Sequence, residues 1–376
     1  MSTSLARRRV AVTGGGTAGH ILTALEILSA YRREFDCEGL FIGSESGLEA
    51  RLASQRGERL ELIPALPWAR QPLAGRLRAF GSVGPAFFAA RRILIRERTE
   101  LVIGTGGYAS VAPCVAGWML GLRVVIHEAN AVPGLANRWL AHLASLICVD
   151  SEETARGFRS HRVTLTGTPC HSVAPPGVSP QPPFRFIVLG GSEGSPWLNR
   201  RVPALLAELR RRPRMRTVDF TVQHLTGMED PAGTQAAYDS AGVPARVEGW
   251  VADMCPVYTG VTLAIACPGA RTLAELSIAG IPSILSPLPG IAHGHHTANA
   301  RLYSARTGAR FVSEDEWNIT ELAGWIESLL CSPEALRAMG EKARPWAHLD
   351  AAEAIVRESE KLFGRVTERE VSSLAP

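Results

Sequence analysis

Several absences narrow the classes of protein to which this sequence can belong. The 376 residues contain no apolar run of the roughly 20 residues that a membrane-spanning helix requires. The amino terminus leads from a short basic stretch directly into a strand pattern, without the apolar segment of a signal peptide. We therefore expect a cytoplasmic protein whose contact with any membrane is peripheral.

The sequence also lacks metal-binding, disulfide and nucleic-acid signatures. Its 7 cysteines are scattered singly, without a C-x-x-C pair, which argues against a zinc site and a disulfide framework. The net charge of +4 is small for this length, and no basic cluster is interleaved with aromatic residues, so we expect no nucleic-acid partner. An Asp-x-Asp motif, which would hold a cation on a diphosphate, is missing. The run His293–His296 could be interpreted as a metal site, but the adjacent His295 and His296 would point in different directions, and no acidic residue lies nearby in sequence. The sequence thus predicts neither a metal site nor a cofactor.

What the sequence does contain is the alternation of strands and helices that builds parallel sheets. Hydrophobic residues make up 46% and charged residues 20%, as in folded globular proteins, and the length favours two domains. Short apolar runs such as LVIGTG, RVVIHEAN and LAIACPG alternate with helical patterns in both halves. This pattern predicts an α/β protein with two doubly wound, Rossmann-like domains facing each other across a cleft.

A proline-rich segment, CHSVAPPGVSPQPPF, separates the two halves and excludes helix there. We expect an N-terminal domain over residues 1–170 and a linker over 171–183. A C-terminal domain should cover 184–345, followed by a helix and tail over 346–376.

Glycine-rich turns follow the first strand of each half, at Gly14–His20 and Gly190–Ser195, and a further turn at Pro268–Thr272 opens a helix. Glycines let the backbone approach a ligand closely, and the amides at a helix start favour an anion. A tight turn without a ligand is the alternative for each loop alone. His20 and the presence of one such loop in each half favour binding sites.

Two polar groups also follow buried strands. HEAN (127–130) ends the strand RVVI, which is a site position in an α/β fold, although Asn130 could simply cap the next helix. Glu275 lies in the helix after the Pro268 turn, and alone it would be interpreted as an exposed helix carboxylate.

The motifs GGGTAGH, GTGGYAS, HEANAVPGLANRWLA, LGGSEGS and TANARLYSARTGA, with the stretch from Cys267 to Glu275, together resemble the MurG family. The resemblance is colinear from about Val10 to about Ala343. It implies a GT-B fold with an acceptor-binding N-terminal domain and a UDP-sugar-binding C-terminal domain. It also implies transfer of N-acetylglucosamine from UDP-GlcNAc, with inversion, to a polyprenyl-pyrophosphate-linked muramyl peptide, the lipid precursor of peptidoglycan.

The same resemblance implies donor-site roles for residues at matching positions. These residues are Thr17, Ala18, Gly19, Asn130, Ser192, Val251, Met254, Ala270, Arg271, Thr272, Leu273, Glu275 and His296. Val251 and Met254 are expected to contact uracil, and Glu275 the ribose hydroxyls. Tyr108, His171 and Glu193 are further candidates.

The sequence departs from the family pattern at several of these motifs. His171 and His296 stand where arginine and glutamine are usual, and Glu193 replaces another glutamine. Cys267 and Pro268 replace Arg-Ser or Arg-Ala, Arg271 replaces an apolar residue, and Thr23 replaces a proline. These changes leave the identity of the sugar and of the acceptor open.

His20 is the candidate general base. Inverting transfer is a single displacement, so the acceptor hydroxyl must lose its proton as the new bond forms. Imidazole titrates near neutral pH and suits this task. Glu128 is the alternative, either as the base or as the carboxylate that orients His20 or His127, and His20 could instead only bond the loop backbone.

The stretch Leu66–Ile95 mixes arginines with Trp68, Phe80, Phe87 and Phe88. Such a segment is either an amphipathic helix packed on the domain or a surface that docks on an anionic bilayer. A lipid-linked acceptor favours docking, so we expect peripheral association with the inner face of the cell membrane.

Other functions remain open at this point. A related transferase could glycosylate a phospholipid-type natural product with a UDP-sugar. A UDP-GlcNAc 2-epimerase shares the two-domain layout, although it would not explain HEANAVPGLANRWLA, and the departures could also mark a non-catalytic UDP-sugar-binding protein.

Overall fold

The computed structural model describes residues 7–67, 73–159, 162–170, 179–251, 253–288 and 294–364, with only the backbone for 73–80. Trp68, His171, most of the expected linker and the tail from residue 365 lie outside this range. The chain divides into two compact units. The first contains Met1–Cys170 and Leu349–Pro376, and the second contains His171–His348.

A seven-stranded parallel sheet forms the first unit, in the order β3-β2-β1-β4-β5-β6-β7. Its strands are β1 (Arg8–Thr13), β2 (Cys37–Ser44), β3 (Leu60–Ile63), β4 (Leu101–Gly104), β5 (Arg123–Glu128), β6 (Leu146–Val149) and β7 (Val163–Leu165). Its helices are α1 (Ala18–Glu34), α2 (Glu49–Gln55), α3 (Leu73–Arg96), α4 (Val111–Met119), α5 (Leu135–Leu140) and α6 (Glu152–Arg156), joined by α14 (Ala351–Lys361) from the end of the chain.

The second unit has a six-stranded parallel sheet in the order β10-β9-β8-β11-β12-β13. Its strands are β8 (Phe184–Leu189), β9 (Phe220–Leu225), β10 (Ala245–Glu248), β11 (Leu263–Ala266), β12 (Ser283–Leu285) and β13 (Arg310–Phe311). Its helices are α7 (Pro196–Arg211), α8 (Pro231–Ser240), α9 (Cys255–Tyr258), α10 (Ala270–Ala279), α11 (His295–Thr307), α12 (Ile319–Leu330) and α13 (Pro333–Ala343).

Both sheets follow the Rossmann pattern that the alternating sequence predicts, and that part of the prediction is confirmed. The central strands are continuous apolar runs because helices cover both faces of a parallel sheet. All four residues of β4 and all four of β11 are buried. In each sheet the strand order reverses beside the first strand, at β1/β4 and at β8/β11. Ligands bind at such switch points in open α/β sheets.

The C-terminal helix α14 completes the first unit, although the sequence had grouped it with the tail. It packs on α1, and its Glu360 accepts two hydrogen bonds from the Arg8 guanidinium, at 2.9 and 2.8 Å. Both side chains are buried, and the Phe363 ring lies 3.7 Å from the guanidinium carbon. After the second unit, the chain therefore comes back to the first unit, where α14 bonds strand β1.

Candidate active site

The loops that follow β1 and β4 are bonded to each other at the switch point of the first unit. The Thr105 amide donates to the Thr13 carbonyl at 2.9 Å, and the Gly15 amide donates to the Gly106 carbonyl at 3.2 Å. The Thr105 hydroxyl donates to the carbonyl of His20 at 2.8 Å. These bonds fix the glycine loop and the start of α1 against β4.

His20 has one ring nitrogen committed to the loop. Its Nδ1 lies 2.9 Å from the Gly15 carbonyl oxygen and 3.3 Å from the Thr17 hydroxyl. Because a carbonyl oxygen only accepts, Nδ1 carries the proton in the neutral ring, and Nε2 holds the lone pair. A Cβ on Gly106, whose φ is 103°, would lie 3.2 Å from Nε2. The ring therefore rests over this glycine, and a side chain there would displace it.

The Glu128 carboxylate accepts four hydrogen bonds from the loop and helix start that follow it. One oxygen accepts from the backbone and side-chain amides of Asn130, at 2.9 and 2.8 Å. The other accepts from the Gly134 amide and from Asn137 Nδ2, both at 2.9 Å. The group is 3% exposed. These bonds order the segment between β5 and α5, and they favour a structural role over proton transfer.

The His127 imidazole is buried beneath this loop. Its Nε2 lies 2.9 Å from the Gly167 carbonyl oxygen, and its own carbonyl accepts from Asn137 Nδ2 at 2.9 Å. Burial lowers the pKa of His127, which keeps the ring neutral. The four described bonds of the Glu128 carboxylate reach neither His127 nor His20, so the geometry does not support the orienting role that the sequence suggested.

The remaining candidates of the first unit surround the same loop. Thr17 is the N-cap of α1, and Ala18 and Gly19 are in its first turn. Tyr108 covers the loop, since a Cβ on Gly16 would lie 3.3 Å from its ring. Asn130 does not cap α5, whose N-cap is Gly134.

In the second unit, the last residue of β8, just before the glycine loop, is bonded to the start of the loop after β11. The Cys267 amide donates to the Leu189 carbonyl at 2.9 Å, and Ser195 caps α7 by accepting from the Leu198 amide at 3.2 Å. A Cβ on Gly194, whose φ is 87°, would lie 2.2 Å from the Thr226 carbonyl oxygen. Only glycine fits at that position, and half-buried Ser192 lies on the same short loop.

Glu275 is not the exposed helix carboxylate of the simpler interpretation. It is 6% exposed. Its Oε2 accepts from the Tyr258 hydroxyl at 2.8 Å, and its Oε1 accepts from Arg271 Nε at 2.9 Å. No sequence pattern indicated Tyr258, which lies 17 positions earlier. Its bond connects α9, whose N-cap is Met254, to the first turns of α10.

The other donor-site candidates lie around the start of α10. Gly269 is its N-cap, and Ala270, Arg271, Thr272 and Leu273 form its first turn. His296 is the second residue of α11, which is joined to this loop because Asn299 donates to the Pro268 carbonyl at 3.1 Å. Asn299 was also missed from the sequence, although it belongs to the TANARLYSARTGA motif. Val251 and Glu193 are half-buried and exposed, respectively.

No group of three His, Cys, Asp or Glu side chains that could hold a metal ion occurs in the described part of the chain. His171 and His293 lie outside that part. Metal-independent transfer stays a prediction.

Two Rossmann-like units, each with a glycine loop at its switch point, are the architecture of GT-B-type glycosyltransferases. The family models agree. The glycosyltransferase family 28 N-terminal domain matches residues 10–149, and the C-terminal domain of the same family matches residues 186–357. This chain belongs to glycosyltransferase family 28.

Similar proteins support this assignment along nearly the whole chain. One is the UDP-N-acetylglucosamine–N-acetylmuramyl-(pentapeptide) pyrophosphoryl-undecaprenol N-acetylglucosamine transferase of Chromohalobacter salexigens, 35% identical over 93% of this chain and 95% of the relative. The protein of the same name from Magnetococcus marinus is 33% identical over 93% and 96%. The crystal structure of Acinetobacter baumannii MurG matches with 26% identity and a TM-score of 0.75, covering 94% and 99%. The resemblance to the MurG family is confirmed.

More distant solved structures share the fold alone. A UDP-N-acetylglucosamine 2-epimerase from Listeria monocytogenes matches at 14% identity, with a TM-score of 0.70 over 96% of this chain and 97% of the other. These likenesses do not favour the epimerase alternative.

Proposed function

We propose that this protein transfers N-acetylglucosamine from UDP-GlcNAc to N-acetylmuramyl-pentapeptide pyrophosphoryl-undecaprenol. The proposal rests on the similarity of 93% of the chain to relatives that are named for this reaction. The site geometry supports it, since the chemistry needs a base with a lone pair, as His20 has, and helix-start amides that can hold a diphosphate. The alternatives among natural-product transferases and non-catalytic binders have no specific observation in their favour.

In the proposed reaction, the acceptor hydroxyl attacks the anomeric carbon of the donor while the bond to the UDP oxygen breaks. His20 Nε2 takes the hydroxyl proton, and UDP leaves with the bonding electron pair. The ring is suited to this step because Nδ1–H is held by the Gly15 carbonyl, which leaves Nε2 as the acceptor. The backbone amides at the loops around Gly191–Gly194 and Gly269–Thr272 would stabilise the developing charge of the leaving group.

The experiment that tests this function is a transfer assay with purified protein, UDP-GlcNAc and a lipid-linked muramyl-peptide. We expect release of UDP that depends on the acceptor, with inversion at the anomeric carbon and with full activity in EDTA. Conversion of UDP-GlcNAc without an acceptor would contradict the proposal, and so would transfer only to an unrelated lipid. Loss of activity in EDTA that magnesium restores would contradict the metal-independent route alone.

We further propose that uracil binds beside Val251 and Met254 and that the ribose hydroxyls bind Glu275. Glu275→Gln should weaken UDP binding by about 1.5–3 kcal/mol, because the charged acceptor is lost while the shape remains. Isothermal titration calorimetry with UDP measures the effect. Glu327→Gln is a matched control, since this glutamate also pairs with an arginine in the second unit, at 2.6 Å from Arg212. Equal UDP affinity in the Glu275 variant and the wild type would contradict the assignment.

The proposed membrane contact lies on α3 and the end of α4. Phe88 is 68% exposed, and Trp118 and Met119 are 50% and 62% exposed on the neighbouring helix. Arg91 and Arg92 are exposed one turn beyond Phe88. Phe87 instead packs against the core of the first unit. No helix in the described residues is long and apolar enough to cross a membrane.

Phe88→Ser combined with Trp118→Ser should weaken binding to anionic liposomes, because both changes remove exposed aromatic surface that would insert among the lipids. UDP affinity should be unchanged. Sedimentation with phosphatidylglycerol vesicles measures the effect. Leu165→Ser is the control, since Leu165 is a half-exposed apolar side chain on strand β7 of the same unit. Wild-type protein that stays in the supernatant would refute the docking surface.

A further inference from the structure

Glu49, the first residue of α2, is a fully buried acid beside the loop that carries His20. Its exposed fraction is 0%, and no side chain that the structure describes bonds its carboxyl oxygens, which have only the backbone amides of the surrounding loops nearby and no well-formed hydrogen bond to them. Burial raises the pKa of Glu49, against the opposing effect of the backbone amides of Glu49 itself, Ser44 and Gly16. A buried carboxyl group without an ion-pair or side-chain partner destabilises a fold, so its presence here requires an explanation.

Three glycines leave the space that this side chain fills. A Cβ on Gly15 would lie 2.3 Å from Oε1 of Glu49, and a Cβ on Gly47 would lie 1.7 Å from Oε2. A Cβ on Gly43 would lie 2.7 Å from the Glu49 Cβ. None of these glycines has the positive φ that would itself favour glycine. The Glu49 side chain is therefore a shared reason why larger residues do not fit at these three positions.

The contact reaches His20 through the backbone of Gly15. The Gly15 amide is bonded to the Gly106 carbonyl, and its own carbonyl oxygen lies 2.9 Å from His20 Nδ1. An added Cβ on Gly15 would meet the Ala109 Cβ at 2.7 Å as well as the Glu49 carboxyl group, so both side chains pack against this side of Gly15. Glu49 thus packs against Gly15, whose carbonyl oxygen is the hydrogen-bond acceptor for His20 Nδ1.

We propose that Glu49 is a positioning residue for the transfer reaction. By filling the space beside Gly15, it fixes the carbonyl group that keeps His20 in the Nδ1–H tautomer, with Nε2 as the basic nitrogen. The catalytic part of this inference rests on the proposed function of His20. The geometric part concerns the tautomer alone and holds for any reaction at this site.

The test compares Glu49→Ala with Glu49→Gln, which keeps the size of the carboxyl group without a charge. Glu26→Ala is the matched control, because Glu26 is 3% exposed on α1, the helix that carries His20, and pairs with Arg56 at 3.0 Å. Three quantities are measured for each protein. They are the ¹⁵N shifts of the His20 ring in histidine-labelled protein, assigned with His20→Ala; the kcat of transfer; and the affinity for UDP.

Glu49→Ala should change the His20 ring from the Nδ1–H form to a mixture of tautomers and lower kcat about 10- to 100-fold, because small displacements of a catalytic group are costly. UDP affinity should not change. Glu49→Gln should keep the wild-type tautomer and most of the activity, and Glu26→Ala should keep the tautomer even if it is less stable.

Unchanged His20 shifts in folded Glu49→Ala would overturn the proposal, whatever happens to kcat. It would also be overturned if Glu49→Gln lost the tautomer to the same extent as the alanine variant. If the wild-type protein showed no transfer, the ring shifts would still decide the positioning role, so failure of the proposed function would be recognised separately.

Discussion

Replacing His20 with alanine is expected to lower kcat by about 10²- to 10⁴-fold, the usual effect of removing a positioned general base. The affinity for UDP-GlcNAc should stay nearly constant, because the proposed donor contacts lie mainly in the second unit. Steady-state kinetics and calorimetry measure the two quantities.

His20→Asn separates proton transfer from loop structure. The asparagine amide can still donate to the Gly15 carbonyl, as Nδ1 does at 2.9 Å, but it has no basic nitrogen. We expect it to be as inactive as the alanine variant. If it retained most of the activity, His20 would serve only to bond the loop. His142→Ala, at an exposed histidine of the same unit, is the control and should behave as the wild type.

Retention of kcat within a few-fold in His20→Ala would require a different base. Glu128 was the sequence-based alternative, but its two oxygens already accept four hydrogen bonds, from Asn130, Gly134 and Asn137. Protonation of that carboxylate would disrupt these bonds. A surviving activity would therefore indicate an acceptor that arrives already deprotonated or a group outside the first unit.

The sequence predicted the parts of the site that are local in the chain. Glycine turns at strand ends and alternating apolar runs depend on neighbouring residues, so the loops after β1 and β8 could be located without a structure. The position of His20 followed from its place on the first loop. The hydrogen-bonding state of Glu128 did not follow, because it depends on how residues 130 to 137 fold back on the carboxylate.

Contacts between distant segments could not be predicted from one sequence. Tyr258 reaches Glu275 because α9 and α10 pack together, and nothing in the spacing of the two residues indicates it. The pattern of α3 likewise did not show that Phe87 faces the core and Phe88 faces solvent, since the two are adjacent in an amphipathic segment. Glu49 and Gly15 meet only because β1 and β2 are neighbours in the sheet.

Among these contacts, the pair of Arg8 and Glu360 has the largest separation in sequence, since the two residues are 352 positions apart. The two side chains are 4% and 0% exposed and form two hydrogen bonds, at 2.9 and 2.8 Å. A buried ion pair adds little net stability compared with apolar residues, but removal of one partner leaves an uncompensated charge. The pair therefore acts mainly to fix where α14 docks on the first unit.

Glu360→Ala should lower the free energy of unfolding of the first unit by up to about 3–5 kcal/mol, because the buried Arg8 guanidinium would keep only the partly exposed Glu100, at 3.2 Å, as a carboxylate partner. Urea denaturation monitored by circular dichroism measures the loss. Glu358→Ala is the control on the same helix, since its ion pair with Lys361 is on the surface and should contribute at most about 1 kcal/mol. The double variant Arg8→Met with Glu360→Met should recover much of the loss, because it removes both charges and keeps the volume. A Glu360→Ala protein as stable as the Glu358 control would show that Glu100 or water compensates the Arg8 charge, and that α14 is held by its apolar face alone.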